Sequence, residues 1–203
     1  MGELLLVRHG ETEWTLSRRH TGLTDLPLTV NGEDQARTLA PLFAGRAIGL
    51  ALTSPLRRAR RTAELAGLGH AQVEPHLHEW DYGGYEGLTT AEIRGRRPDW
   101  VLWADGVAAG PPDRPGETPH QVGARADRVL ARIAPVLADS AGGDVVLVAH
   151  GHFLRVLAAR RLGLPPAAGA LFRLDTGTVS TLGTEHGRPV ITTWNTALQA
   201  AVA

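Results

Sequence analysis

The chain contains no cysteine and no lysine; all 21 basic residues among its 203 are arginine. Without cysteine there is no disulfide, zinc knuckle, iron–sulfur cluster or thiol nucleophile. Without lysine there is no Schiff-base chemistry, Walker-type phosphate loop or kinase-type lysine. A covalent catalyst of this composition is left with Ser, Thr, Asp, Glu, Tyr and His. Neither sign of charge is in excess, since 21 acidic residues balance the arginines. That balance argues against nucleic acid or an anionic membrane as the main partner. Long apolar runs are missing as well: Leu4–Val7 and Val145–Ala149 are far too short to span a bilayer. The first residues carry no charged leader region or cleavage site, so a soluble cytoplasmic protein is expected. What the chain does have is 43% hydrophobic residues and nine histidines. This is enough apolar material for a full core, at a length that suits one domain over residues 1–203.

Leu4-Leu5-Leu6-Val7 and Val145-Val146-Leu147-Val148-Ala149 are continuous apolar runs with glycine close by, as in strands buried on both faces of a parallel sheet. Leu50–Thr53 is a weaker third strand, and a short stretch near Val73 a fourth. Helical patterns lie between them. Thr29 caps a helix whose inner face is Ala36, Leu39, Ala40 and Phe43. Ser54-Pro55 reads as an N-cap followed by proline at the first helical position, opening a helix to about Ala66. Thr118-Pro119 repeats that signal before a long helix with Val122, Ala126, Val129, Ile133 and Leu137 inward, which Pro135 should kink or end early. Phe153, Leu154, Leu157 and Ala158 mark another, stopped by Gly163 and Pro165-Pro166. Thr178–Thr184 and Pro189–Trp194 alternate around Glu185-His186-Gly187 as a hairpin, and residues 195–203 read as a loose tail. The expected fold is an α/β three-layer α/β/α sandwich, its sheet mostly parallel with an antiparallel edge. Leu88–Gly116, rich in Gly, Pro, Arg and Trp, reads as an excursion that shapes the substrate pocket.

Ligands of open parallel sheets bind beyond the carboxyl ends of the strands. Three such ends carry Arg8-His9-Gly10, Ser54-Pro55-Leu56-Arg57-Arg58 and His150-Gly151-His152. A lone His or Arg after a strand is an ordinary structural residue, but three ends converging Arg and His on one crevice are not ordinary. Arg8 and Arg58 offer the planar fork that grips phosphate oxygens, and Arg58 lies in the first turn of a helix, where backbone N–H groups favour an anion. Within such a site a neutral imidazole can attack phosphorus, provided its other nitrogen donates to a carbonyl and fixes the tautomer. A second imidazole and the arginines would then stabilise the equatorial charge. The leaving oxygen needs a proton, and His78-Glu79-Trp80-Asp81-Tyr82-Gly83-Gly84-Tyr85-Glu86 supplies carboxylates among aromatic rings. Composition does not choose among Glu79, Asp81 and Glu86.

These residues resemble the histidine phosphatase, or phosphoglycerate-mutase-like, superfamily. The similarity is carried by Leu-Leu-Val-Arg-His-Gly-Glu-Thr-Glu-Trp at 5–14, Thr21-Gly22 with Asp25–Thr29, and Gly32 with Gln35-Ala36. It continues through Ser54-Pro55-Leu56 with Arg58-Ala59 and Thr62-Ala63-Glu64, then Val148-Ala149-His150-Gly151. These blocks follow the family's order over about three quarters of the chain. The resemblance implies a phosphoglycerate-mutase-like fold and a nucleophile at His9. It further implies phosphate clamps at Arg8 and Arg58, a phosphate-binding imidazole at His150 and a proton donor at Glu79. Thr15 stands where the family commonly has Asn, and His152 where a small residue is frequent; with Thr21, Gly22 and Gly151 they are expected to contact substrate. The segment Glu79–Gly87 followed by Leu88-Thr89 looks like the acid phosphatase and sedoheptulose-bisphosphatase-like branch. Mutases of the family carry a longer insertion between proton donor and last His, whereas 70 residues lie between them here.

The expectation is therefore a metal-independent, cofactor-free phosphatase of small phosphorylated metabolites, sugar phosphates or bisphosphates among them. A sugar bisphosphate needs a second anion site, with Arg18, Arg19, His20, Arg96 and Arg97 as candidates. A cofactor-dependent phosphoglycerate mutase is the alternative. A metallohydrolase using His76-x-His78 and His150-x-His152, and a non-catalytic phosphoryl-binding module, are weaker rivals. A homodimer through a sheet edge or helix face is compatible with this reading.

Overall fold

The computed structural model describes residues 2–139 and 141–198. Its strands are β1 (Leu4–Arg8), β2 (Ile48–Thr53), β3 (Gln72–Val73), β4 (Asp144–Ala149), β5 (Thr178–Glu185) and β6 (Arg188–Ala197), ordered β3-β2-β4-β1-β5-β6. The first four run parallel, and β5 and β6 close the sheet antiparallel. The continuous apolar runs have their cause in coverage of both faces. Leu4 and Leu6 of β1, with Val145, Leu147 and Ala149 of β4, enter one core. Leu5, Val7, Val146 and Val148 enter the other. Alternate side chains of a strand point to opposite faces, so the interior positions of both strands are apolar and the charged residues stand only at their ends, Arg8 on β1 and Asp144 on β4.

Helices α7 (Pro119–Ala138) and α8 (Gly151–Arg161) cover the first face, and α2 (Val30–Thr38), α3 (Ala40–Phe43) and α4 (Arg57–Leu65) cover the second. Thr29 caps α2, and the Thr118–Gln121 capping box with Pro119 opens α7. Short α1 (Glu13–Leu16), α5 (Thr90–Arg96) and α6 (Leu102–Asp105) complete the set. Among the described residues, no helix is long and apolar enough to cross a membrane.

Three local expectations need correction. Ser54 is not a helix cap: α4 begins at Arg57 after Leu56, and the Ser54 hydroxyl instead serves His150 and the Leu56 backbone N–H ahead of the helix. Pro135 does not end α7, which continues to Ala138. Ala131 and Pro135 both lie on the exposed face, so the carbonyl deprived of its N–H partner meets solvent. Asn195–Ala197 of the expected tail belong to β6, where the Asn195 amide oxygen accepts from Asp175 N at 2.7 Å; residues 199–203 lie outside the described residues. The hairpin turn itself is as expected, with His186 and Gly187 both at positive φ, the geometry of the tightest hairpins.

The sheet register sets up the functional end of the molecule. Arg8 is level with Ala149, and Thr53 with Val148. One rung further, His9 N donates to Ala149 O and Ser54 N to Val148 O, both at 3.0 Å. The ladder therefore delivers His9, Ser54 and His150 side by side as the three strands end.

Candidate active site

His9 is buried, and its imidazole Nδ1 is 2.7 Å from the carbonyl oxygen of Gly10. A carbonyl only accepts, so Nδ1 carries the proton and Nε2 is the bare nitrogen. Burial, then the charges of Arg58 and Arg8, hold the His9 pKa well below the usual imidazole value and keep the ring neutral. The loop that presents it is pinned by Gly10 N donating to Thr62 Oγ1 at 3.1 Å. It also presses against the start of α2 so closely that a Cβ on Gly10 would lie 2.1 Å from the Gly32 carbonyl oxygen. Glycine here is a requirement of packing.

His150 follows β4 as the residue before α8, its ring 5.1 Å from that of His9. Arg58 Nε donates to its Nδ1 at 3.2 Å, so Nε2 holds the proton and donates to Ser54 Oγ at 2.7 Å. Its pKa too is held well below normal, by burial first and then by Arg58 and His9. The rest of the Arg58 guanidinium is spent on backbone: Nη1 on Thr24 O, Nη2 on Thr21 O and Gly22 O. Arg58 thereby ties the Thr21–Thr24 loop to α4 and His150.

A cavity of about 250 Å³ opens over His9. Arg8 lies along its floor beneath Gly151; its Nη1 donates to Leu174 O, while its buried Nε has no partner among the described residues. Such an orphaned donor on a cation asks for an anion. The three candidate carboxylates separate clearly. Asp81 accepts from Gly83 N and Gly116 N, and Glu86 from Gly22 N and Thr24 N; both organise loops. Glu79 alone lines the cavity. Its Oε1 accepts from Trp80 N and Phe153 N, both at 2.8 Å, and its Oε2 from His152 N at 3.0 Å. The carboxylate is thus seated on the first turn of α8, where the N–H groups lack helical partners. Oε2 has one hydrogen-bond partner among the described residues, against two on Oε1. Buried Arg125 anchors the approach from the other side, donating to the carbonyls of His76, His78 and Glu79 while paired with Glu117 at 2.7 Å.

Of the predicted residues, Arg8, His9, Thr15, Thr21, Glu79, Gly151 and His152 meet at this cavity, whereas Arg58, His150 and Gly22 stand behind it. Arg18, Arg19 and His20 also line it. Arg97 does not: it turns to Tyr85 and Asp105, and Arg96 is exposed elsewhere. Nor does any residue of 88–116 line the cavity. That excursion supports the wall from behind, Trp100 against His20 and Trp103 against His152, because its tryptophans are drawn into the core beside α7 and α8. The paired histidines are not set along strands. His76 lies in a 3₁₀ turn that His78 caps, and His150-Gly151-His152 turns into α8, which separates the two rings. Among the described residues no three such side chains converge as metal ligands. Tyr82, Leu174 and Arg155 are cavity residues that the sequence reading missed. Arg155 had a signal, since it falls one helical turn beyond Gly151 and His152 on the same face. A larger depression, about 390 Å³ beside β3, holds surface arginines but no comparable convergence of groups.

Residues 4–197 match the family described as histidine phosphatase superfamily, branch 1. An acid phosphatase of Mycobacterium tuberculosis is 42% identical over 186 residues, covering 91% of this chain and 87% of its own. A sedoheptulose 1,7-bisphosphatase of Saccharomyces cerevisiae is 40% identical over 189 residues, covering 79% and 67%. The solved structure of an open reading frame product from Mycobacterium tuberculosis superposes with a TM-score of 0.86 at 39% identity, covering 98% of this chain and 99% of that one.

Proposed function

This chain belongs to the histidine phosphatase superfamily, branch 1, and is a phosphoric monoester hydrolase; from that premise we propose that it hydrolyses small phosphomonoesters, sugar phosphates or bisphosphates, through a phosphohistidine on His9 and without a metal ion. One observation carries the reading: His9, whose Nε2 is bare, and Arg8, whose buried Nε has no partner among the described residues, line one cavity. The first suits the electrophilic centre of a phosphate and the second its oxygens.

In the first step the Nε2 lone pair forms an N–P bond as the ester P–O bond breaks. The departing alkoxide takes a proton from Oε2 of Glu79, which has first received that proton from the monoanionic form of the ester as it binds. In the second, water gives a proton back to Glu79 and its oxygen attacks phosphorus. The N–P bond breaks, inorganic phosphate leaves and His9 is neutral again. Arg8 holds equatorial oxygens throughout, while Arg58 adds positive charge from behind His9 and His150, bonded to Arg58 and Ser54, keeps that charge in place. Thr15, Thr21, Gly151 and His152 shape the space for the phosphoryl group and its ester.

The test is a base quench after mixing with ³²P-labelled substrate. The expected result is acid-labile label on the protein, absent from His9→Ala, with inorganic phosphate as the released product. Turnover with no trapped label would overturn the covalent route. Loss of activity on chelation would overturn metal independence, and isomerisation of 3-phosphoglycerate in place of phosphate release would favour a mutase.

A further inference from the structure

Arg155 is a charged group for which the proposed hydrolysis has no use. It projects from α8 into the same cavity as Arg8. Its guanidinium lies over the Trp103 ring, 4.5 Å from the centroid, with Nε donating to Gly169 O at 3.0 Å and Nη2 to Ala170 O at 3.3 Å. Those bonds fix the plane of the fork and leave Nη1 without a protein partner among the described residues. No carboxylate forms an ion pair with Arg155 or with Arg8 there, although most arginines outside the cavity have such a partner.

The charge balance of the cavity is therefore lopsided. Among the described residues Glu79 is its one carboxylate, set against Arg8, Arg155, Arg18 and Arg19. Arg19 is partly satisfied by Gly87 O and by Glu92 at 3.8 Å. The imidazoles between them are neutral: burial brings His20 down to about 4 and holds His152, joined at Nδ1 to the Tyr82 hydroxyl, well below the usual value. Burial first, and the nearby charge of Arg8 after it, also disfavour the charge on Arg155. One phosphate on His9 satisfies Arg8 and leaves Arg155 stacked, half-desolvated and unpaired, an expensive state for a guanidinium.

We infer that the cavity is built for substrates carrying a second anionic group, phosphate or carboxylate, beyond the reacting ester, and that Arg155 is the residue that reads it. The inference rests on the hydrolytic reading above. Planarity suits Arg155 to either anion, because its pre-set fork meets two oxygens at once with little further loss of freedom. The flanking His20, Tyr82 and His152 are uncharged groups suited to hydroxyls of the linking chain.

The experiment compares matched substrates: fructose 1,6-bisphosphate against fructose 6-phosphate, and 3-phosphoglycerate against glycerol 3-phosphate. Wild type is expected to favour the two-anion member of at least one pair by about tenfold or more in kcat/KM, and the pair that responds tells phosphate from carboxylate. In Arg155→Gln that ratio collapses by about ten- to hundredfold, the worth of one charged hydrogen-bonded contact, and the loss lies in KM. Arg155→Lys, which keeps the charge but not the fork, restores part of it. Equal loss on both members of a pair would make Arg155 a structural clamp of the Pro166–Leu171 turn and overturn the inference. So would an unchanged ratio in Arg155→Gln, or no preference in wild type. Because glycerol 3-phosphate needs only the hydrolytic machinery, failure of wild type on every ester would instead defeat the proposed function itself.

Discussion

Glu79→Gln removes a negative charge and turns one acceptor oxygen into a donor. The structure dictates how the amide must sit. Its oxygen takes the Oε1 position, where Trp80 N and Phe153 N both donate at 2.8 Å. The NH₂ is then left facing His152 N, which donated to Oε2 at 3.0 Å. One charged hydrogen bond becomes a donor–donor contact and two others become neutral, a cost of about 2–3 kcal/mol. In a domain of this size that lowers Tm by about 5–10 °C. The chemical consequence depends on the leaving group. Glycerol 3-phosphate, which must be protonated as it departs, loses about 10²–10⁴-fold in kcat. With 4-nitrophenyl phosphate the phenolate leaves unaided, and the deficit moves to hydrolysis of the phosphoenzyme. Rapid mixing then shows a burst of one nitrophenol per enzyme, formed within about tenfold of the wild-type rate, followed by slow turnover. Loss of that burst in a folded Glu79→Gln protein, in proportion to the loss on glycerol 3-phosphate, would refute the assignment of Glu79 as proton donor.

Two further outcomes are expected, beside the trapped phosphoenzyme and the Arg155 comparison. Gly151→Ala places a Cβ 3.1 Å from Cζ and Nε of Arg8, so the guanidinium must give way by a few tenths of an ångström. Steady-state kinetics should show kcat/KM down by about ten- to hundredfold, with Tm little changed because alanine suits the first turn of a helix; wild-type kinetics would refute the role of Arg8. Stability should be level above pH 6.5 and fall below it. The unfolded chain then binds protons at His9, His150 and His152 that the native protein, with these pKa values depressed, does not bind. Each contributes about 1.4 kcal/mol per pH unit until its native pKa is reached, and a Tm unchanged between pH 7 and 5 would contradict neutral burial.

The sheet was legible because burial on two faces leaves an unmistakable apolar run, as in Leu4–Val7 and Val145–Ala149. Thr29 and Thr118 gave away two helix starts through capping chemistry that is wholly local. Ser54 misled for the opposite reason: its hydroxyl answers to His150, 96 residues away, and no local pattern carries that. The convergence of Arg8, His9, Ser54, Arg58 and His150 followed from strand ends. Which of them face the cavity did not, because Arg58 differs from a ligand-facing arginine only through the carbonyls of Thr21, Gly22 and Thr24. Likewise Glu79, Asp81 and Glu86 are equivalent by composition and are told apart by partners at His152, Gly116 and Gly22. The excursion 88–116 supplies no lining residue and shapes the cavity only from behind, because its Trp residues serve packing, a role that composition shares with recognition.

The seat of Glu79 on the first turn of α8 divides the site by origin. On the proposed mechanism His9 and Arg8, at the end of β1 in the middle of the sheet, would act only on the phosphoryl group, which is common to every ester. His152 and Arg155 belong to α8, Glu79 is bonded to its first turn, and these three would act on whatever is attached to that group. Variation along one helix can therefore exchange the alcohol that the enzyme accepts while the phosphorus chemistry is inherited intact. Gly151, the contact between α8 and Arg8, is the one position where those two histories cannot be separated.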